Sequence, residues 1–248
     1  MKNLLKVILY KPLYNLLAFL VWLVPGHNIG VAIILLTVLI RVALIPSSKH
    51  AIEAQKKIKD LNPEIEALKK KYPDKQEQAR KIMEFYKINK INPLSGCLPL
   101  LIQLPVFFIL YYVFRTGLTT ERYADLLYSF TPHLDTIKTG FLWVDLAKPD
   151  KFYIFGIIAG ALQFIQARQI TPVKKNSAKS SDIQDVLQNQ ALYIMPLMTV
   201  IIAATLPSAL ALYWIITTLF TIIQQKAIMG KKGTKPEVSI KIRQKKND

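Results

Sequence analysis

The chain has 248 residues, a formal net charge of +17 and 52% hydrophobic residues. Its lysines are segregated from long apolar runs, which excludes a basic nucleic-acid binder with charge spread over a polar surface and points to a membrane protein. A single cysteine, Cys97, excludes an intramolecular disulfide and a cysteine-bound metal, and His27, His50 and His133 lack ligand spacing, so no cofactor or metal is expected.

Residues 1–27 form the first segment. Leu4 to Val24 is apolar but interrupted by Lys6, Lys11 and Pro12, with no small-residue cleavage site after it. Pro12 starts a helix of about twelve residues, too short to span and suited to lying along the outer membrane surface with Trp22 at the interface. A hairpin or an extra span is the alternative.

The first span covers 28–46. Gly30 to Pro46 is apolar and reaches about 26 Å at ~1.5 Å per residue, with one charge, Arg41, near its end. Burying a guanidinium there costs roughly 2.5–3.5 kcal/mol on insertion scales. Either Arg41 snorkels to the interface or it faces a polar cavity between helices.

Residues 47–95 are a charged helical hairpin outside the bilayer, with twelve Lys/Arg and seven Asp/Glu between Ser47 and Asn92. Ile58, Leu61, Ile65 and Leu68 make one apolar stripe; Ile82, Phe85, Tyr86 and Met83 make a shorter one beyond a break at Tyr72-Pro73-Asp74. Pro63 kinks the first arm or restarts a helix. The basic face suits anionic lipid, a ribosome or an incoming chain.

A second span is expected over 96–115, carrying Gln103, whose amide would be costly facing lipid. An acidic-leaning loop covers 116–150. The third span, 151–167, has Gly156 and Gly160 at a spacing that permits close helix packing, with Gln163 and Gln166 toward its inner end. A polar linker, 168–190, precedes two spans divided at Pro207, 191–206 and 207–225, because one helix over the whole stretch would be about 50 Å long. A basic tail, 226–248, closes the chain. The Lys-rich hairpin, linker and tail against the acidic-leaning loop orient five spans with the N-terminus outside and the C-terminus in the cytoplasm.

The ordered motifs PLYNLL at 12–17, GVAIILLTVLIRVALIP at 30–46, LNPEIEALKKKYPD at 61–74, INPLSGCLPLLIQLPVFFILYYVF at 91–114, FLWVDLAKPD at 141–150 and LPSALALYWIITTLFTIIQQ at 206–225 carry a resemblance. The chain resembles the YidC/Oxa1/Alb3 membrane-insertase family, in its compact bacterial form without a large extracytoplasmic domain. Thr217-Thr218 stands where many relatives have Ser-Asn. The resemblance implies an all-α polytopic membrane protein of the bacterial cytoplasmic membrane. Its five transmembrane helices would surround a hydrophilic groove, open to the cytoplasm and to lipid, with the charged hairpin at the cytoplasmic mouth and Arg41 inside.

Residues and resemblance meet at Arg41. The polar tail of a substrate is the expensive part of insertion, and a wet groove shortens the apolar distance. Arg41 would attract acidic tails; Gln103, Gln163 and Gln166 would hydrogen-bond if they face inward, and Trp214 would line or support the groove. No covalent chemistry or energy source is needed, because the substrate's own helix moves into lipid. The expected function is insertion and chaperoning of membrane proteins; the alternative is a small-solute or anion transporter or channel. Expected partners are nascent membrane proteins and anionic lipids. The Lys-rich hairpin and tail are compatible with ribosome contact, and the role with work beside a Sec translocon, but DNA is not expected.

Overall fold

A computed structural model describes residue 8 and residues 10–92, 103–104, 106–108, 110–112, 127–132, 136–171 and 189–230. Most of the expected 96–115 span, most of the 168–190 linker, part of the 116–150 loop and most of the basic tail lie outside the described residues.

The described chain is mostly helical. Helix α1 spans Lys11–Leu23, α2 Ile29–Ala43, α3 Ile45–Asp60, α4 Asn62–Lys71 and α5 Lys75–Ile88. A small antiparallel hairpin follows, β1 (Gly140–Phe141) and β2 (Val144–Asp145), then α6 (Ile154–Ile170), a π-helical turn at Gln190–Ile194, α7 (Met195–Thr205) and α8 (Ser208–Met229). Among the described residues α8 alone is long and apolar enough to cross a membrane by itself. Taken together, α2 and α3 also pass, but they bend by 68° at Leu44.

Prolines start these helices. Pro12, Pro46, Pro63 and Pro196 each sit in the first turn of α1, α3, α4 and α7, where an amide proton would have no partner and a fixed φ helps. Pro46 therefore opens α3 rather than closing α2, which ends at Ala43. Pro63 restarts a helix rather than kinking one. Leu206 and Pro207 are extended, which separates α7 from α8 as the sequence predicts.

One apolar core joins α1, α2, α6 and α8, with Leu17, Val21, Ile33, Leu36, Ala159 and Leu210 almost fully enclosed. The inner face of α1 belongs to this core, while Phe19, Trp22 and Leu23 remain exposed. Gly156 and Gly160 bring α6 against α7: a Cβ at position 160 would strike the Val200 side chain and sit 2.9 Å from the Pro196 carbonyl. A second core lies in the charged hairpin, where Leu61, Ile65 and Leu68 meet Phe85, Tyr86 and Ile91. Met83 is exposed and takes no part in it, because it lies one position off the α5 stripe.

Residues 140–150, Gly140 with the FLWVDLAKPD stretch, tie three helix starts together. Asn28 caps α2 by accepting from Gly30 N (2.9 Å) and donates through Nδ2 to Gly140 O (2.8 Å). Asp150 is buried and accepts from Phe152 N (3.0 Å) and Phe155 N (2.9 Å) at the start of α6. At the start of α8, Ser208 N donates to Lys148 O (2.9 Å) and Ala209 N to Leu146 O (3.1 Å).

A polar cavity between the helices

Arg41 lies in the last turn of α2, where the carbonyl end of the helix favours a cation. Its guanidinium turns inward, donating through Nη2 to Gln103 Oε1, and Gln103 Nε2 donates in turn to the Tyr213 hydroxyl of α8. The chain of bonds crosses from α2 through Gln103 to α8. Tyr213 is buried, so its hydroxyl needs this partner. A pocket of about 20 Å³ beside Arg41, bordered by Thr37, Ser47, Ser48 and Thr217, is large enough for roughly one water.

A cavity of about 380 Å³ opens from this point. Arg41, Gln103, Gln163, Gln166 and Trp214 all line it, so the five residues singled out from sequence come together on one surface. Gln163 is held by α7, its Oε1 accepting from Thr199 Oγ1. Trp214 is half-buried, with its ring edge-on to Phe107 at 5.9 Å.

Helical spacing explains the rest of the wall. On α8, Trp214, Thr217, Thr218, Thr221, Gln224 and Gln225 recur at three- and four-residue intervals and share a face; on α3, Ser48, Ile52 and Gln55 do the same. Thr218 and Thr221 donate to carbonyls of their own helix, at Trp214 (2.8 Å) and Thr217 (2.9 Å), which leaves hydroxyl lone pairs for the cavity. Gln224 Nε2 donates to Ser48 Oγ (2.7 Å), joining α8 to α3. Ile52, Leu104, Phe107, Ile170 and Ile202 supply apolar wall. Among the described lining residues Arg41 is the only charged one.

The charged hairpin reaches the same end of the bundle. Lys59 Nζ donates to Gln169 O (2.6 Å) in the last turn of α6, and Lys56 Nζ lies 3.5 Å from Ile228 O near the end of α8. Lysines there meet the carbonyl ends of two helices.

Sequence reading missed Tyr213, Thr199 and the Ser48–Gln55–Gln224–Gln225 end of the cavity. Tyr213 sits in the apolar YWI run and reads as packing. Gln224 and Gln225 fall at the expected end of the last span and Gln55 in the charged hairpin, where polar residues need no explanation; the signal for the α8 pair is helical register with Trp214 and Thr221.

A model of the family described as "60Kd inner membrane protein" matches residues 21–235. The chain is 37% identical over 228 residues to a protein of Fusobacterium nucleatum named membrane protein insertase YidC, covering 91% of this chain and 98% of that protein. It is 32% identical over 241 residues to membrane protein insertase MisCA of Bacillus subtilis, covering 94% and 82%. A membrane protein insertase YidC of Alkalihalophilus pseudofirmus is 38% identical over 205 residues, covering 79% and 71%.

Proposed function

The chain belongs to the YidC/Oxa1/Alb3 family of membrane insertases, which work without covalent catalysis, and from that membership we propose how its cavity serves insertion into the bacterial cytoplasmic membrane. Five spans, at 28–46, 96–115, 151–167, 191–206 and 207–225, cross the bilayer with the N-terminus outside and the basic tail in the cytoplasm. The cavity is the inner part of a groove that receives the polar tail of a nascent membrane protein. Arg41 attracts acidic groups in the tail; Gln103, Gln163 and Gln166 exchange hydrogen bonds with its neutral groups, and Trp214 forms apolar wall. The substrate's apolar helix then leaves sideways into lipid, and that transfer drives the step.

One observation carries this reading: five residues far apart in the chain line a single cavity whose one described charge is bonded to a neutral amide. A transporter needs access from both sides in turn. An insertase needs only a polar recess with a lateral way out. In this reading the basic hairpin and tail meet lipid headgroups or a ribosome at the cytoplasmic mouth, a contact their lysine content supports.

The test is insertion of a single-span protein with an acidic N-terminal tail into liposomes bearing the wild type, Arg41→Ala or Arg41→Lys, scored by protease protection. Protection should depend on the protein, fall with Arg41→Ala and be largely kept by Arg41→Lys. Full protection with Arg41→Ala would return the arginine to an interfacial role. Solute flux without protein-dependent protection would favour the transporter.

A further inference from the structure

The 141–155 corner carries a second feature that insertion chemistry does not use. The β1–β2 register pairs Phe141 with Val144, leaving Leu142 and Trp143 as a two-residue turn. Leu142 has φ +54°, a backbone state in which glycine is the ordinary choice. Tyr153, which opens α6, has φ +57° and makes no side-chain cap. Turns that face water relax such positions with Gly or Asn. Here both keep large apolar side chains and hold them outward: Leu142 is 72% exposed, Trp143 52%, Phe152 68% and Tyr153 55%.

The two exposed pairs form one patch. The Trp143 ring meets the Phe155 ring edge-on at 5.8 Å, which sets the hairpin tip against the first turn of α6. From this patch one exposed face continues down α6 through Ile154, Ile157, Ile158 and Ile165. Lys151 and Lys148 are exposed beside it, Lys148 paired with Asp145 at 3.2 Å. Along the chain an exposed cation, Lys151, is followed by the exposed rings of Phe152 and Tyr153 and then by the exposed isoleucines of α6. That is the order of headgroup, interface and hydrocarbon, and a protein partner would have no need of it.

We propose that Leu142, Trp143, Phe152 and Tyr153 form an anchor seated at the boundary between headgroups and acyl chains of the outer leaflet. The corner is bound by main-chain and carboxylate hydrogen bonds to the starts of α2, α6 and α8, so the depth of the anchor is the depth of those helices. Arg41 lies twelve residues after Ile29, about 18 Å further along α2, which places it past the middle of a hydrocarbon core of about 30 Å. The anchor thus fixes how far Arg41 stands from the outer surface. This last step rests on the insertion reading above; the seating of the patch in lipid does not.

Trp22→Phe together with Trp214→Phe leaves Trp143 as the sole tryptophan of the full chain. In phosphatidylcholine/phosphatidylglycerol vesicles its emission should be blue-shifted and mostly lost when the acyl chains are brominated, more with shallow bromines than with deep ones. Aqueous iodide should quench it weakly. A parallel measurement needs no substitution: the unaltered chain is photolabelled by a lipid with an acyl-chain diazirine, and adducts are expected on residues 142–153. Iodide quenching without a bromine effect, or adducts that begin only at Ile154, would overturn the anchor. Neither result would bear on charge-assisted insertion, which the Arg41 variants test separately.

Discussion

Asp150 offers the sharpest test of how the 141–155 corner is held. It is 3% exposed, and its two carboxylate oxygens accept from Phe152 N and Phe155 N. Hydrogen bonds to a charged group are worth about 1.5–3 kcal/mol each, so the two together bound the effect near 6 kcal/mol. They are not equivalent. Phe152 is 68% exposed, and water can replace the acceptor for its amide; Phe155 is buried, and its amide in the first turn of α6 would be left without one. Counting the Phe155 bond fully, and adding about 0.3–1 kcal/mol for a carboxylate at a helix N-terminus, gives about 2–4 kcal/mol for Asp150→Ala. Asp150→Asn keeps one acceptor and should lose about half of that. For a chain of this size about 1 kcal/mol moves Tm by roughly 2–4 °C, so Asp150→Ala in detergent should melt roughly 4–15 °C lower by far-UV circular dichroism. A Tm within about 2 °C of wild type would mean that water reaches the Phe155 amide and that the carboxylate does not hold the corner.

Other substitutions probe other links. Gly160→Ala sets a Cβ against the Pro196 carbonyl and Val200, so α7 must back away; a cost of about 1–3 kcal/mol should appear in the same melts, and an unchanged Tm would refute the close approach. Lys90 follows α5 with φ +53°, and the bonds Ile91 N to Tyr86 O (2.9 Å) and Lys90 N to Lys87 O (3.1 Å) close the helix around it. Lys90→Gly should therefore stabilise the charged hairpin by about 1 kcal/mol, read as slower amide exchange in α5, and faster exchange would contradict that. The hydrogen bond from Thr139 holds the Asp145 carboxyl below its ordinary value. With the folded value below the unfolded one, its contribution is present above about pH 4 and disappears as pH falls through the folded value. The side chain is largely solvated, so Asp145→Asn should cost under about 1 kcal/mol at neutral pH, and the gap in Tm from wild type should close on acidification; a gap that persists at low pH would refute the assignment.

Features decided within a few residues were legible in the sequence. Pro12 starts α1, the charged hairpin breaks at Tyr72-Pro73-Asp74, the chain breaks at Leu206-Pro207, and the glycine pair permits a close helix approach. At Pro46 the same kind of evidence does not decide: a proline ends one helix or begins the next, and the 68° bend at Leu44 shows that it begins α3. Arg41, Gln103, Gln163 and Gln166 stand out singly because polar groups are costly in apolar runs. Their convergence was not legible, since it depends on how α2, α6 and α8 pack. Tyr213 escaped because its ring satisfies an apolar pattern while its hydroxyl does the bonding.

The partners of Arg41 bear on how the groove would work. A resident carboxylate at 4 Å would hold the guanidinium by about 4 kcal/mol at an effective dielectric of 20, and an arriving acidic tail would have to displace it. Gln103 is neutral, as is the Tyr213 hydroxyl beyond it, and among the described residues no carboxylate lines the cavity. A guanidinium has five N–H donors, so accepting one at Gln103 leaves others for the cavity and the charge uncompensated. Neutral partners lower the cost of keeping a cation between helices without cancelling its field. The amides and hydroxyls along α3, α6 and α8 extend the same logic away from Arg41 toward the Gln224–Gln225 end of the cavity, since they accept and donate without favouring either sign of charge. A tail entering there would meet neutral hydrogen-bonding groups first and the single fixed charge last, so Arg41 would act on the part of the tail that has travelled deepest.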